Sequence, residues 1–382
     1  MSSRFVRGPA TIKTPGVSMD NDAQQGGQGG QKPEKGSSLK LIMGWVGGAT
    51  AVLGLIASLN GWFHIFDTHR TQRAELNAQM AVAQGQLKQE EYRSSVRSFG
   101  EILKTDRLYA LALEGQLDAA MLWVDNFQVL GRDGAKAADV AGPLLDEIMP
   151  VLDAGFARSK GSRAADVQAH LGWAHWLNWH IAEREFGPAA EKNLRAALQL
   201  DKNNVYANAM LGNWMLQNHG NFREAVGHLN TAVATGKARA LVREMQVGGF
   251  LHNEVDGARA ELVKTVNDMR KNGEALEEGQ KSRVVGFCYN PSVTSQTELA
   301  ESLAAVPEDD AWKTYLWLDT GEGEDQTTQS LNRDFIYANL LEVSGKRAEA
   351  LEKFRALQQQ PKIKLYSFKK RVDDAVKRLS KG

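Results

Sequence analysis

Two antiparallel helices approach each other closely only where side chains are small, and residues 204–236 supply such places at Gly212 and Ala225. Leu211, Met215, Leu229 and Val233 recur three or four residues apart, so each helix of the pair presents an apolar stripe to its mate and to a neighbouring pair. One pair cannot bury both of its faces. The stretch therefore predicts further pairs stacked on it, and an all-α chain.

Asn208, Leu211, Gly212 and Met215 fall on the Trp-x2-Leu-Gly-x2-Tyr spacing that opens a repeat of about 34 residues, and Ala225, Leu229 and Ala232 supply its second helix. The stretch resembles a tetratricopeptide repeat. Residues 165–203 are similar, with Leu171 and Gly172 opening a unit and Ala190, Leu194 and Ala197 closing it before Asp201. Their longer interval implies an extended first helix and a longer turn around Gly187 and Pro188. Residues 331–361 fit through Tyr337, Ala338, Leu341, Gly345, Ala350 and Phe354, and 76–109 fit more loosely through Tyr92, Ser95, Phe99, Ile102 and Asp106. The expected fold is an all-α, tetratricopeptide-like solenoid over 70–382. Residues 362–382 form its capping helix, with Phe368, Val372, Val376 and Leu379 on one side. Between the good units, 115–155 is expected as two or three helices interrupted at Gly131, Gly134, Pro143 and Pro150. A degenerate pair is expected about Gly248 to Gly257, and 273–325 reads as a distorted repeat or a lateral insertion.

The resemblance implies a right-handed superhelix whose first helices line a concave groove for peptides or proteins. By that analogy Tyr206, Ala209, Asn213, Leu216 and Gln217 face the groove in one unit, and Asn332, Phe335, Asn339 and Glu342 in another. Asn213 and Asn339 hold the position where chaperone-binding members clamp a carboxyl terminus. Ala209 and Phe335 stand where that clamp needs lysine, so polar groove lining is the expectation. Within 170–180, His170, His175 and His180 alternate with Trp173, Trp176 and Trp179 at intervals that rotate successive imidazoles by about 140°. They cannot share one helix face for a metal. The tryptophans read as interhelical packing, with Trp173 and Trp176 as a candidate platform for a partner.

Residues 1–38, rich in Gly, Gln, Pro and Ser, are expected to be disordered. A single transmembrane helix is expected within 39–66, because its core 41–59 carries no charge and about 19 residues at 1.5 Å rise match the hydrocarbon thickness of a bilayer. Lys40 and Trp62, Phe63 and Arg70 stand as interfacial anchors. More basic residues precede this run than follow it, which places the amino terminus in the cytoplasm and the solenoid on the outer face, as at a bacterial inner membrane. Gly44, Gly48, Ala51, Gly54 and Ser58 offer a dimerisation face, so a homo-oligomer held there is a rival reading.

The 382 residues exceed one ordinary core, and 46 basic against 46 acidic residues leave no global field to favour nucleic acid. The lone Cys288 excludes an intrachain disulfide. No phosphate-cradling glycine motif or nucleophile elbow is present, and no cofactor is expected. The acidic run 319–325 reads as a solvated turn, and the basic tail 362–382 as the wet face of the cap, though it could also touch anionic phospholipid or nucleic acid. The expectation is a non-enzymatic, membrane-anchored interaction scaffold. The rival from another class is an enzyme or ligand-binding protein using the 170–180 cluster with Cys288 or Glu185.

Overall fold

The computed structural model describes residues 72–129, 136–184, 188–251, 253, 255–320 and 325–381. The tail at 1–38, the transmembrane helix at 39–66, the breaks at Gly131 and Gly134, and Glu185 lie outside these residues. Among the described residues there is no strand, and no helix is long and apolar enough to cross a membrane.

The chain runs α1 (72–88), α2 (Tyr92–Thr105), α3 (Ala110–Asp125), α4 (Ala137–Arg158), α5 (Gly161–His180), α6 (Ala189–Leu200), α7 (Val205–Gln217) and α8 (Phe222–Ala234). It continues through α9 (Arg239–Leu251), α10 (Ala258–Lys271), α11 (Glu278–Cys288), α12 (Gln296–Ala304), α13 (Glu308–Leu318), α14 (Gln326–Val343) and α15 (Arg347–Gln358). A 3₁₀ turn, Pro361–Leu365, leads to α16 (Lys369–Leu379). Side chains fix several helix starts. Asn204 accepts from the Ala207 amide at 2.8 Å to cap α7, Asn221 caps α8 in the same way, and Ser295 with Glu298 forms a capping box on α12.

Helices pack on near neighbours in the chain, and none of the principal contacts reaches further than from α10 to α13. This is the contact pattern of a quasi-linear stack, compatible with an α-solenoid. Small residues close the pairs. A Cβ added to Gly172 would stand 2.8 Å from Leu194 Cγ and 3.1 Å from the Ala190 carbonyl oxygen; one added to Gly212 would stand 2.7 Å from Leu229 Cγ and 2.9 Å from the Ala225 oxygen. The two pairs thus share one contact although their turns differ in length. The extra residues fall in a longer α5 and in the turn after it, where they leave the register untouched. In α1 and α2, Ser95 Oγ donates to the Ala83 carbonyl at 3.0 Å, and in α14 and α15 Ala338, Ala350 and Phe354 are buried, with the Phe335 and Phe354 rings edge to face at 6.3 Å.

One expectation is corrected. Pro143 and Pro150 do not interrupt a helix, since α4 runs through both. Each proline removes an internal hydrogen bond at a cost of about 3 kcal/mol, and burial of Ala141, Leu145, Ile148 and Leu152 on one face offsets it. The described residues of 273–325 hold α11, α12 and α13; α12 and α13 each contact α10 and α14, and α11 lies among α9, α10, α12 and α13.

Candidate functional site

A cleft of about 790 Å³ opens where the start of α5, the turn before α7 and the end of α8 converge. Local sequence builds its rim. Asp201 Oδ1 accepts from the Asn203 amide at 3.0 Å, Asn208 Nδ2 donates to the carbonyls of Lys202 and Asn204, and Asn204 Nδ2 donates to Asp166 Oδ1 at 2.6 Å. This pinned turn holds Asn204 and Tyr206 opposite Thr231, Thr235 and Lys237.

Behind the cleft lies His170, 1% exposed. Its Nδ1 is 2.6 Å from the Asp166 carbonyl oxygen, and its Nε2 is 3.1 Å from Asp125 Oδ1. Both ring nitrogens therefore face acceptors, an arrangement that suits an imidazolium. Burial alone would lower its pKa, but attraction to and hydrogen bonding with Asp125 outweigh this, so the pKa is raised. The ring lies 4.6 Å from that of Tyr206. Burial raises the Tyr206 pKa, Asp125, Asp166 and Asp118 raise it further, and Arg163 opposes them. Arg163 is itself paired with Asp118. With Asp166 and Asp201 on the wall, the cleft suits a cationic or hydrogen-bond-donating group beside an aromatic face.

Of the residues expected in a groove, Tyr206 lines this cleft. Asn332 lines a smaller cavity of about 170 Å³ with Tyr289 and Tyr315. Asn213, Ala209, Leu216, Asn339 and Phe335 are turned inward, while Gln217 and Glu342 are half-buried. Asn213 is buried, donating to the Met245 carbonyl at 2.8 Å and accepting from Gln217 Nε2 at 2.9 Å. Ala209 and Leu216 are buried beside it, and Gly249 of α9 approaches Leu216 so closely that a Cβ there would stand 2.8 Å from its Cδ1. Most of α7 is covered, with Val205, Ala207 to Asn213, Met215 and Leu216 buried, while Tyr206, Trp214 and Gln217 stay half-buried. Asn339 donates to the Phe335 carbonyl at 2.7 Å and accepts from Gln296 Nε2 at 2.7 Å. Phe335 is buried under Phe368, at 4.7 Å between ring centroids, and Glu342 is held bidentately by Arg378.

Trp173 and Trp176 are each 5% exposed and stack at 4.4 Å, so they hold helices together rather than offer a platform. His180 continues the stack at 4.4 Å from Trp176. Cys288 is fully buried, and burial pushes its thiol up to about 12, which leaves it protonated and poorly nucleophilic. Among the described residues no three His, Cys, Asp or Glu side chains gather closely enough to hold a metal ion.

Sequence reasoning missed the pairing of His170 with Asp125 and the part played by Asp166, Asn204 and Lys237. The Asp201 to Asn204 turn was a visible signal, since Asp and Asn ahead of an apolar run mark a helix start. The partner on α3 left no such mark. No family model, curated protein or solved structure matches the chain.

Proposed function

We propose that the chain is a non-enzymatic scaffold of tetratricopeptide type, tethered to a membrane by residues 41–59, which takes a basic protein segment into the Tyr206 cleft. The observation carrying the scaffold reading is the repeated contact, Gly172 on Ala190 and Leu194 and Gly212 on Ala225 and Leu229, which builds successive pairs with one geometry. The acidic lining and the half-buried Tyr206 supply the partner's chemistry. Loops and helix ends carry the recognition, and the stacked helices hold them in place. The more basic amino-side flank of 41–59 supports placing the stack on the non-cytoplasmic face.

Titration with a fluorescent lysine- and arginine-rich peptide and its glutamate-substituted twin tests the cleft. Preferential binding of the basic peptide, weakened roughly tenfold by Asp166→Asn and by Tyr206→Ala, is the expected outcome; each change removes about 1.4 kcal/mol. Equal binding of the two peptides would sink it. The tether is tested by alkaline extraction, which should leave the intact chain in the membrane pellet and release a variant lacking 41–59.

A further inference from the structure

At the carboxyl end of the stack two turns far apart in sequence are tied together. Ser367 Oγ donates to Ser292 Oγ at 2.7 Å. Arg371 Nη1 donates to the carbonyl oxygens of Pro291 at 2.9 Å and Thr294 at 2.7 Å, and Nη2 donates to Gln296 Oε1 at 3.0 Å. The guanidinium sits 4.9 Å over the Phe335 ring, which holds the tie against the core. The segment 291–296 is thereby fixed against 367–371, so Val293 and Leu365 stand on two turns tied to each other, together the tip of this end of the stack.

Both side chains stand in water, Val293 78% and Leu365 83% exposed, values matched among the large apolar residues described only by Leu108 at 85%. Ile363 and Phe368, on either side of Leu365, are 1% exposed. The turn therefore sends its other apolar residues into the core and holds Leu365 out. Cations ring the tip. Lys362 reaches the Thr327 hydroxyl at 3.3 Å and is attracted to Asp325, and Lys369 is paired with Asp373. Lys364 and Lys370 are exposed and, among the described residues, have no carboxylate within 4.0 Å.

Exposed aliphatic side chains flanked by unpaired lysines match a surface where the apolar groups leave water while the cations stay among phosphates. A stable protein interface would need a broader apolar patch than two side chains. Nucleic acid would use the lysines but leave the aliphatic pair in water. We propose that this tip, Val293 and Leu365 ringed by Lys362, Lys364 and Lys370, docks on a bilayer surface rich in anionic phospholipid. The contact is independent of both the tether and the Tyr206 cleft.

The buried Cys288 is the chain's one cysteine, so Leu365→Cys places a single accessible thiol on the tip. The full chain, labelled there with a polarity-sensitive dye, is reconstituted into vesicles of phosphatidylcholine alone or mixed with phosphatidylglycerol. The dye should shift to the blue and be quenched by brominated acyl chains only in the mixed vesicles. Adding Lys364→Glu and Lys370→Glu should weaken the effect about 25-fold, fivefold per lysine, with an unchanged thermal melt. The same dye on Leu108→Cys should not respond. The proposal is overturned if the tip dye is unmoved by anionic lipid, if it shifts equally in phosphatidylcholine, if the Leu108 position responds as strongly, or if RNA or an acidic protein shifts it where lipid does not.

Discussion

The pairs α5 with α6 and α7 with α8 are closed by residue size, whereas α10 to α13, around buried Leu262, Val266, Leu299 and Leu318, are tied in addition by long charged side chains. In the first region a glycine admits a leucine and a carbonyl to within about 3 Å of where its Cβ would be. In the second, Arg259 donates to the Phe287 carbonyl, stands 3.9 Å over the Phe287 ring and meets Glu298 Oε1 at 2.6 Å. Arg270 reaches Asp310 at 3.0 Å, Lys271 reaches the same carboxylate at 2.6 Å, and Thr314 donates to Asn267 Oδ1 at 3.0 Å. Packing by size tolerates no substituent and ignores pH. Packing by charge tolerates changes of shape and fails when its carboxylates are protonated.

The largest expected effect lies at a charged tie that joins α5 of the first region to α3. Asp125→Ala should cost about 3–5 kcal/mol in a denaturant melt below the unfolded histidine value, because it removes the carboxylate that faces the buried His170 Nε2 at 3.1 Å. The sign with pH follows from the raised folded pKa. The pair's contribution is present in full below the unfolded histidine value and is lost as pH rises through the folded one, so the wild type should lose more stability across that interval than Asp125→Asn. Equal pH slopes would remove the ion pair from the account.

Next comes Gly212→Leu, which should cost roughly 1–3 kcal/mol through overpacking against Leu229 and the Ala225 carbonyl. An unchanged melting temperature would place Gly212 away from the contact. In the second region, hydrogen bonds from Ser295 and then from Arg259 hold Glu298 down to about 2. A depressed carboxylate contributes above its unfolded value and loses that contribution as pH falls toward 2. Hydrogen exchange across that interval should therefore rise in α11–α13 before it rises in α5–α8, and simultaneous loss would erase the contrast. The smallest effect is Gly286→Ala in α11, where an added Cβ meets nothing within 4 Å. It should stabilise by about 0.5–1 kcal/mol through helix propensity alone, and any loss would mean that α11 packs more tightly than described.

The same contrast explains what the sequence made legible. Small and large residues at fixed spacing announced the pairs α1 with α2, α5 with α6, α7 with α8 and α14 with α15, because size packing repeats locally. Arg259 and Glu298, or Asp125 and His170, lie on different helices and carry no periodicity, so neither tie could be read in advance. The continuity of α4 through Pro143 and Pro150 was equally hidden, since it depends on the burial of Leu145, Ile148 and Leu152. The heavy burial of α7 could have been anticipated from VYANAMLGNWML, where apolar residues fall on most sides of the helix. Of the cleft, Tyr206 was legible and its acidic surroundings were not, because Asp166 and Asp201 reach it from separate elements.

Residue-resolved hydrogen exchange on Gly212→Leu tests the near-neighbour stack most directly. If helices depend on their neighbours alone, protection should fall in α5–α9 and stay at wild-type levels in α12–α16. A uniform fall across all the helices would show one indivisible core and contradict the stack.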